Sequence, residues 1–72
     1  MVTLRFFAAA RAAVGSATAS VPVGTLDAVL AAFENPVLSR CSFLVNGIAE
    51  TDRSRLLSDG DTVDVLPPFA GG

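Results

Sequence analysis

Apolar and polar positions alternate over the first six residues, with Val2, Leu4 and Phe6 separated by Thr3 and Arg5. A period of two built from β-forming residues predicts a strand with one buried face. From Phe7 to Val14 the chain turns alanine-rich, Arg11 is its only charge, and Gly15 follows. Alanine favours helix and glycine ends it, so a short helix is expected there. Ala17, Ala19, Val21 and Val23 alternate with Thr18, Ser20 and Pro22, a weaker strand pattern that Pro22 places at an edge or at its end. Leu26, Val29, Leu30 and Phe33 then fall at i, i+3, i+4 and i+7, one apolar face of a helix. Thr25 stands at the N-cap position and Asp27 in the first turn, where a negative charge suits the positive end of the helix dipole. Asn35 precedes Pro36 and must leave the α region, so the helix is expected to stop there.

Ser42 to Asn46 reads as a second strong strand, and Asn46-Gly47 is the preferred dipeptide for a two-residue hairpin turn, with Ile48 to Glu50 as the return arm. Thr51 to Ser58 is polar and irregular, with Leu56 and Leu57 expected to tuck beneath it. Asp59-Gly60-Asp61 makes a turn, and Thr62 to Leu66 forms the last strand with Val63 and Val65 facing inward. Pro67-Pro68 ends that strand because neither proline can donate to a ladder. The expected architecture is α+β: one main amphipathic helix packed on a small mixed sheet over residues 1–66, followed by a tail over residues 67–72.

Two leucines break the alternation. If Phe43 and Val45 face the helix, Leu44 points to the other side of the sheet; if Val63 and Val65 point in, Leu66 points out. Single exposed leucines are ordinary. Followed by Pro67, Pro68 and Phe69, however, Leu66 joins an apolar group on the side away from the core, and clustered apolar surface marks a partner-binding patch. Leu44, Leu66 and Phe69 are therefore expected on one exposed surface, with Pro67 and Pro68 beside them.

Composition narrows the chemistry. The chain has 72 residues, a net charge of −2, one cysteine and no histidine, and its five cations are all arginine: Arg5, Arg11, Arg40, Arg53 and Arg55. One domain of this size buries only about 60% of the surface of its unfolded chain, and neither an internal disulfide nor a histidine-containing zinc site is available to reinforce it. Without histidine there is no Ser-His-Asp or Cys-His arrangement and no base naturally poised near neutrality. The arginines are scattered, so the basic stripe of a nucleic-acid binder is missing. The longest unbroken apolar run, Ala28 to Phe33, is too short to cross a membrane. Arg11 interrupts the apolar start too early for a signal peptide, and one unpaired cysteine suits a reducing compartment, so a cytoplasmic location is expected.

Cys41 shares the parity of Phe43 and Val45 and is expected to be a small buried residue rather than a nucleophile, with no histidine or lysine to activate it. Asp59, Asp61 and Asp64 could suggest a metal, but two of them flank a turn where charges are ordinarily solvated, so no metal site is expected. The end of the chain carries more. Leu66-Pro67-Pro68-Phe69-Ala70-Gly71-Gly72 combines a stiff proline exit with a thin, side-chain-free terminus able to enter a narrow channel. A terminal glycine leaves its carboxylate unhindered.

Leu4-Arg5-Phe6-Phe7-Ala8 with Arg11 and Gly15, the Asn46-Gly47 hairpin, and Leu57-Ser58-Asp59-Gly60-Asp61-Thr62-Val63 running into Pro67-Pro68-Phe69-Ala70-Gly71-Gly72 resemble the MoaD/ThiS family over essentially the whole chain. The resemblance implies a ubiquitin-like β-grasp fold and a sulfur carrier that is not an enzyme alone. The proline pair before Gly-Gly is closer to the molybdopterin synthase small subunit than to the thiamine-pathway carrier. By that resemblance Gly72 is the reacting residue. An E1-like adenylyltransferase uses ATP to adenylate its carboxylate, and a sulfurtransferase then supplies sulfur to give a thiocarboxylate. The tail residues Phe69, Ala70 and Gly71 enter the large subunit of molybdopterin synthase, within a heterotetramer, and sulfur passes to cyclic pyranopterin monophosphate. The carrier itself is expected to bind no cofactor, nucleic acid or membrane. Leu66 stands where many relatives carry an aromatic residue, and the stretch Asn35 to Arg40 is short for the family. The alternatives are a carrier serving thiamine thiazole or another sulfur-containing product, a ubiquitin-like modifier conjugated to lysines, and a β-grasp interaction module with no carrier chemistry.

Overall fold

The computed structural model describes residues 1–67. Five strands form one mixed sheet: β1 (Val2–Phe6), β2 (Thr18–Val21), β3 (Ser42–Val45), β4 (Ile48–Glu50) and β5 (Thr62–Leu66), in the order β2-β1-β5-β3-β4. β1 and β5 run parallel at its centre, and the other neighbours are antiparallel. Helices α1 (Ala8–Val14) and α2 (Leu26–Ala31) and a 3₁₀ helix (Pro36–Arg40) complete the chain. This is the α+β, ubiquitin-like β-grasp architecture.

The alternation in β1 is realised fully: Val2, Leu4 and Phe6 are buried and Thr3 and Arg5 exposed. Their side chains meet Phe43, Val45, Val63 and Val65 from the other strands and Leu26, Val29 and Leu30 from α2 in one core, closed by Ala10, Val21, Leu38, Cys41 and Leu57. Phe33 is half-buried and meets Phe6 edge-on, with ring centroids 5.3 Å apart, a favoured aromatic geometry.

Helix ends follow from named residues. Gly15 adopts φ +84° after α1 and its N–H returns to the Arg11 carbonyl at 2.8 Å, a left-handed cap that glycine adopts without steric cost. The N-terminal turn of α2 has donors that the helix itself cannot satisfy. Thr25 Oγ1 accepts from Ala28 N–H, while Leu26 and Asp27 donate to the carbonyls of Arg55 and Arg53. The irregular segment after β4 is therefore held against the start of α2 by main-chain bonds, which accounts for the burial of Leu57.

Two expectations, the end of α2 and the place of Leu56, require correction, and residues 36–40 gain an element that the pattern left unassigned. Helix α2 ends at Ala31, short of Asn35: Phe33 and Glu34 donate three residues back in a tightened last turn, and Glu34 then takes φ +50°. Residues 36–40 form a 3₁₀ helix, started by Pro36 and by Asn35 Oδ1, which accepts from Val37 N–H at 3.0 Å. Leu56 does not tuck under its loop. It is 71% exposed while its neighbour Leu57 is buried, because the bridge Thr25↔Leu56 turns alternate side chains to opposite sides.

Candidate functional site

The β-ladder registers define the sheet face opposite α2. Ser42 lies against Leu66, Leu44 against Asp64 and Ala49, Arg5 against Asp64 and Thr18, and Thr3 against Thr62 and Ser20. Directly opposed residues share a face, so Leu44 and Leu66 stand with Arg5 and Asp64 on the outer side while Phe43, Val45, Val63 and Val65 face the core. The parity expected for both leucines is correct, but their exposure is not: each is half-buried rather than freely exposed. Pro67 is buried. Pro68, Phe69, Ala70, Gly71 and Gly72 lie outside the described residues.

The centre of this face is an ion pair that the sequence pattern alone did not single out. Arg5 Nε donates to Asp64 Oδ1 at 2.6 Å and Nη2 to Oδ2 at 2.8 Å. Two parallel charge-assisted bonds are the strong form of this contact. Asp64 is only 8% exposed. The hydrogen bond from Arg5 holds its carboxyl below the usual range against the opposing effect of burial. The Arg5 guanidinium also lies 5.8 Å from the Phe7 ring centroid, within cation–π range.

β5 leads directly into residues 67–72 in the sequence. As a central strand it bonds to β1 on one side and β3 on the other, and Phe7 N–H donates to the Val65 carbonyl at 3.1 Å. The base of the tail is thus fixed at a strand tied on both sides, beside Leu44 and the Arg5–Asp64 pair. A turn at the other end of β5 is equally well bound. Asn46, at φ +51°, donates through Nδ2 to Asp61 Oδ1 and accepts on Oδ1 from Thr62 N–H, both at 2.9 Å. Asp61 also accepts from Ser58 N–H, and the Met1 amino group pairs with Asp59. These bonds account for the lowered carboxyl values of Asp61 and Asp59.

Cys41 is buried, its Sγ–H donates to the Val37 carbonyl at 3.3 Å, and burial pushes its thiol up, so it packs as a small apolar residue. Among the described residues no group of three acidic or cysteine side chains converges to hold a metal, and no helix is long and apolar enough to cross a membrane. Of the three aspartates considered for a metal, Asp64 is committed to Arg5 and the other two to the turn.

Residues 4–72 match the ThiS family. None of the curated proteins matches the chain in sequence. Among solved structures, the protein HVO 2177 of Haloferax volcanii is 30% identical, with a TM-score of 0.78 over 99% of this chain and 85% of that one. SAMP1 from the same organism is 22% identical, with a TM-score of 0.77 over 99% and 98%. In a complex of subunits 1 and 2 of molybdopterin-converting factor from Helicobacter pylori 26695, one chain is 24% identical, with a TM-score of 0.72 over 99% and 97%. At these last two identities the likeness establishes the fold.

Proposed function

The chain belongs to the ThiS family of ubiquitin-fold sulfur carriers, and from that premise we propose that it is the sulfur-carrying small subunit of a molybdopterin synthase. The observation that carries the reading is the sequence Pro67-Pro68-Phe69-Ala70-Gly71-Gly72 issuing from β5, a strand tied on both sides. A rigid platform gives the tail a fixed origin, and about six residues at 3.3 Å each reach roughly 20 Å. A two-glycine end adds no side chain to obstruct a channel.

The chemistry follows from the functional group. A carboxylate is a poor acyl electrophile, so Gly72 requires activation by a partner. An E1-like adenylyltransferase joins it to the α-phosphate of ATP with loss of pyrophosphate. The terminal sulfur of a persulfide on the sulfurtransferase then attacks the acyl carbon and displaces AMP, and a thiol reductant cleaves the acyl disulfide so formed to leave a thiocarboxylate. The large synthase subunit receives the tail, and the sulfur passes to cyclic pyranopterin monophosphate. The carrier supplies the acyl group, and its partners supply acid–base catalysis. The molybdopterin-converting factor complex, solved with both of its subunits, supports a large-subunit partner here, and the proline pair favours this client over thiamine thiazole.

Reconstitution with the activating enzyme, a sulfurtransferase and ATP tests the reading. Intact-mass analysis is expected to find oxygen replaced by sulfur at Gly72, and the product is expected to convert cyclic pyranopterin monophosphate only when the large subunit is added. Failure of that conversion, with activity toward a thiazole synthase instead, transfers the chain to the thiamine client. Likeness to SAMP1, a small archaeal modifier protein, raises a second reading in which Gly72 is conjugated to amines. Covalent adducts of target proteins in the same mass spectra would select it.

A further inference from the structure

On the reading of this chain as a carrier that docks through its outer sheet face, we propose that Arg5, held by Asp64, determines partner specificity by requiring a carboxylate on the docked protein, seated in the groove between Arg5 and Arg11.

A guanidinium carries five N–H donors in a rigid plane. Asp64 accepts two of them, from Nε and Nη2. The remaining donors have no acceptor among the described residues, and half of the Arg5 side chain is open to solvent. Water serves these donors in the free chain. A protein settling on Leu44 and Leu66 displaces that water, and donors then buried without acceptors oppose binding. A carboxylate is the acceptor that matches the fork geometry and the charge.

The surroundings favour an acid over a neutral acceptor. Arg5 and Arg11 line one shallow groove with Phe6, Phe7, Ala17 and Thr18. Asp64 neutralises Arg5 only, and Arg11 has no ion-pair partner among the described residues. The groove is therefore positive in a chain whose net charge is −2. Besides Leu44, Leu66 and Ala49, the outer face around the pair carries Thr3, Thr18, Ser20, Ser42 and Thr62, none of them charged. Asp64 and the Phe7 ring orient the guanidinium before any partner arrives, which lowers the entropy lost on docking.

The test measures binding of the whole chain to the purified large synthase subunit of the same organism by calorimetry across a range of salt concentrations. The wild-type affinity is expected to fall as salt rises. Arg5→Gln with Asp64→Asn keeps a neutral hydrogen-bonding pair in the same place and is expected to weaken binding about tenfold or more, while Arg11→Gln, which removes the groove's unneutralised charge, is expected to flatten the salt dependence. Thermal denaturation checks that the variants fold. Wild-type binding that ignores salt, or a folded double variant that binds as wild type does, overturns the inference and leaves the carrier reading intact. A wild-type chain that binds neither this subunit nor the activating enzyme overturns both.

Discussion

Arg5 and Asp64, 59 residues apart in sequence, close a two-pronged ion pair across the parallel β1–β5 junction, and the two partners differ sharply in burial. The carboxylate is enclosed and the guanidinium is half in water. Removing one partner of such a pair is therefore asymmetric. Arg5→Ala strands a nearly buried charge without its donors, whereas Asp64→Ala leaves a guanidinium that water can still solvate. Chemical denaturation at neutral pH is expected to show the larger loss of stability for Arg5→Ala. Equal losses would mean that the pair acts only through side-chain packing.

The same pair sets an acid limb. Asp64 titrates below its ordinary value of 3.8 in the folded chain because Arg5 donates to it. A carboxyl lowered on folding contributes stability above the unfolded value, and that contribution disappears as pH falls through the folded one. Arg5 stays charged throughout this range. Wild-type stability is expected to fall as pH drops below 3.8, and Asp64→Asn to show a shallower decline over the same window. Parallel acid limbs in the two proteins would remove Asp64 from the account.

Asn46 performs two tasks at the hairpin. It occupies φ +51°, where most side chains are strained, and both ends of its amide reach the start of β5. Asn46→Ala loses two hydrogen bonds, each worth about 1 kcal/mol net, and keeps the left-handed backbone without the local bonds that favour asparagine there. A loss of about 2 kcal/mol in equilibrium unfolding is expected, and a loss below about 0.5 kcal/mol would show the turn to be independent of β5.

Legibility in the sequence tracked how local the determining forces were. The strand at Val2–Phe6, the cap at Thr25, the Asn46-Gly47 turn and the inward valines of β5 each depend on neighbours within a few residues, and the structure places them as the pattern predicts. The end of α2 does not follow the pattern. Phe33 continues the helical apolar period, yet it meets Phe6 from a tightened turn, so tertiary packing overrode the spacing. Leu56 and Leu57 are alike in sequence and separated only by a bridge to Thr25 that no local pattern encodes. At the site, the outward parity of Leu44 and Leu66 is readable from alternation, whereas the ion pair beside them joins residues 59 apart that no local pattern links. A signal existed: Arg5 and Asp64 are opposite charges at outward positions of the first and last strands, which a β-grasp sheet places side by side.

Core and outer-face positions of one strand separate stability from docking. Val63 is fully enclosed, and Val63→Ala is expected to cost about 2 kcal/mol through the cavity it leaves. Leu66 is half-buried on the opposite face, so Leu66→Ser is expected to cost about 1 kcal/mol while reducing large-subunit binding about tenfold or more. Leu44→Ser is expected to behave like Leu66→Ser. Denaturation curves and calorimetric titrations on the same samples supply both readouts. Unchanged binding by a folded Leu66→Ser/Leu44→Ser double variant would take the docking surface away from this face.

Deleting Gly72 removes the proposed reacting carboxylate without touching any residue of the core, whose last member is Val65. A new carboxylate then ends the chain at Gly71, one residue short of the reach for which an activating site is built. Catalysis at such a site depends on sub-ångström placement of the reacting atoms, so a displacement of roughly 3.3 Å is expected to abolish adenylation. Thermal unfolding of the shortened chain is expected to superimpose on that of the full chain, while intact-mass analysis after incubation with activating enzyme, sulfur donor and ATP finds no exchange of oxygen for sulfur. Gly72→Phe keeps the length and adds bulk, and is expected to fail for a steric reason instead. Sulfur found on the new Gly71 carboxylate would show that the activating site tolerates a shorter tail, and sulfur mapped to any other group would move the reacting group away from residue 72.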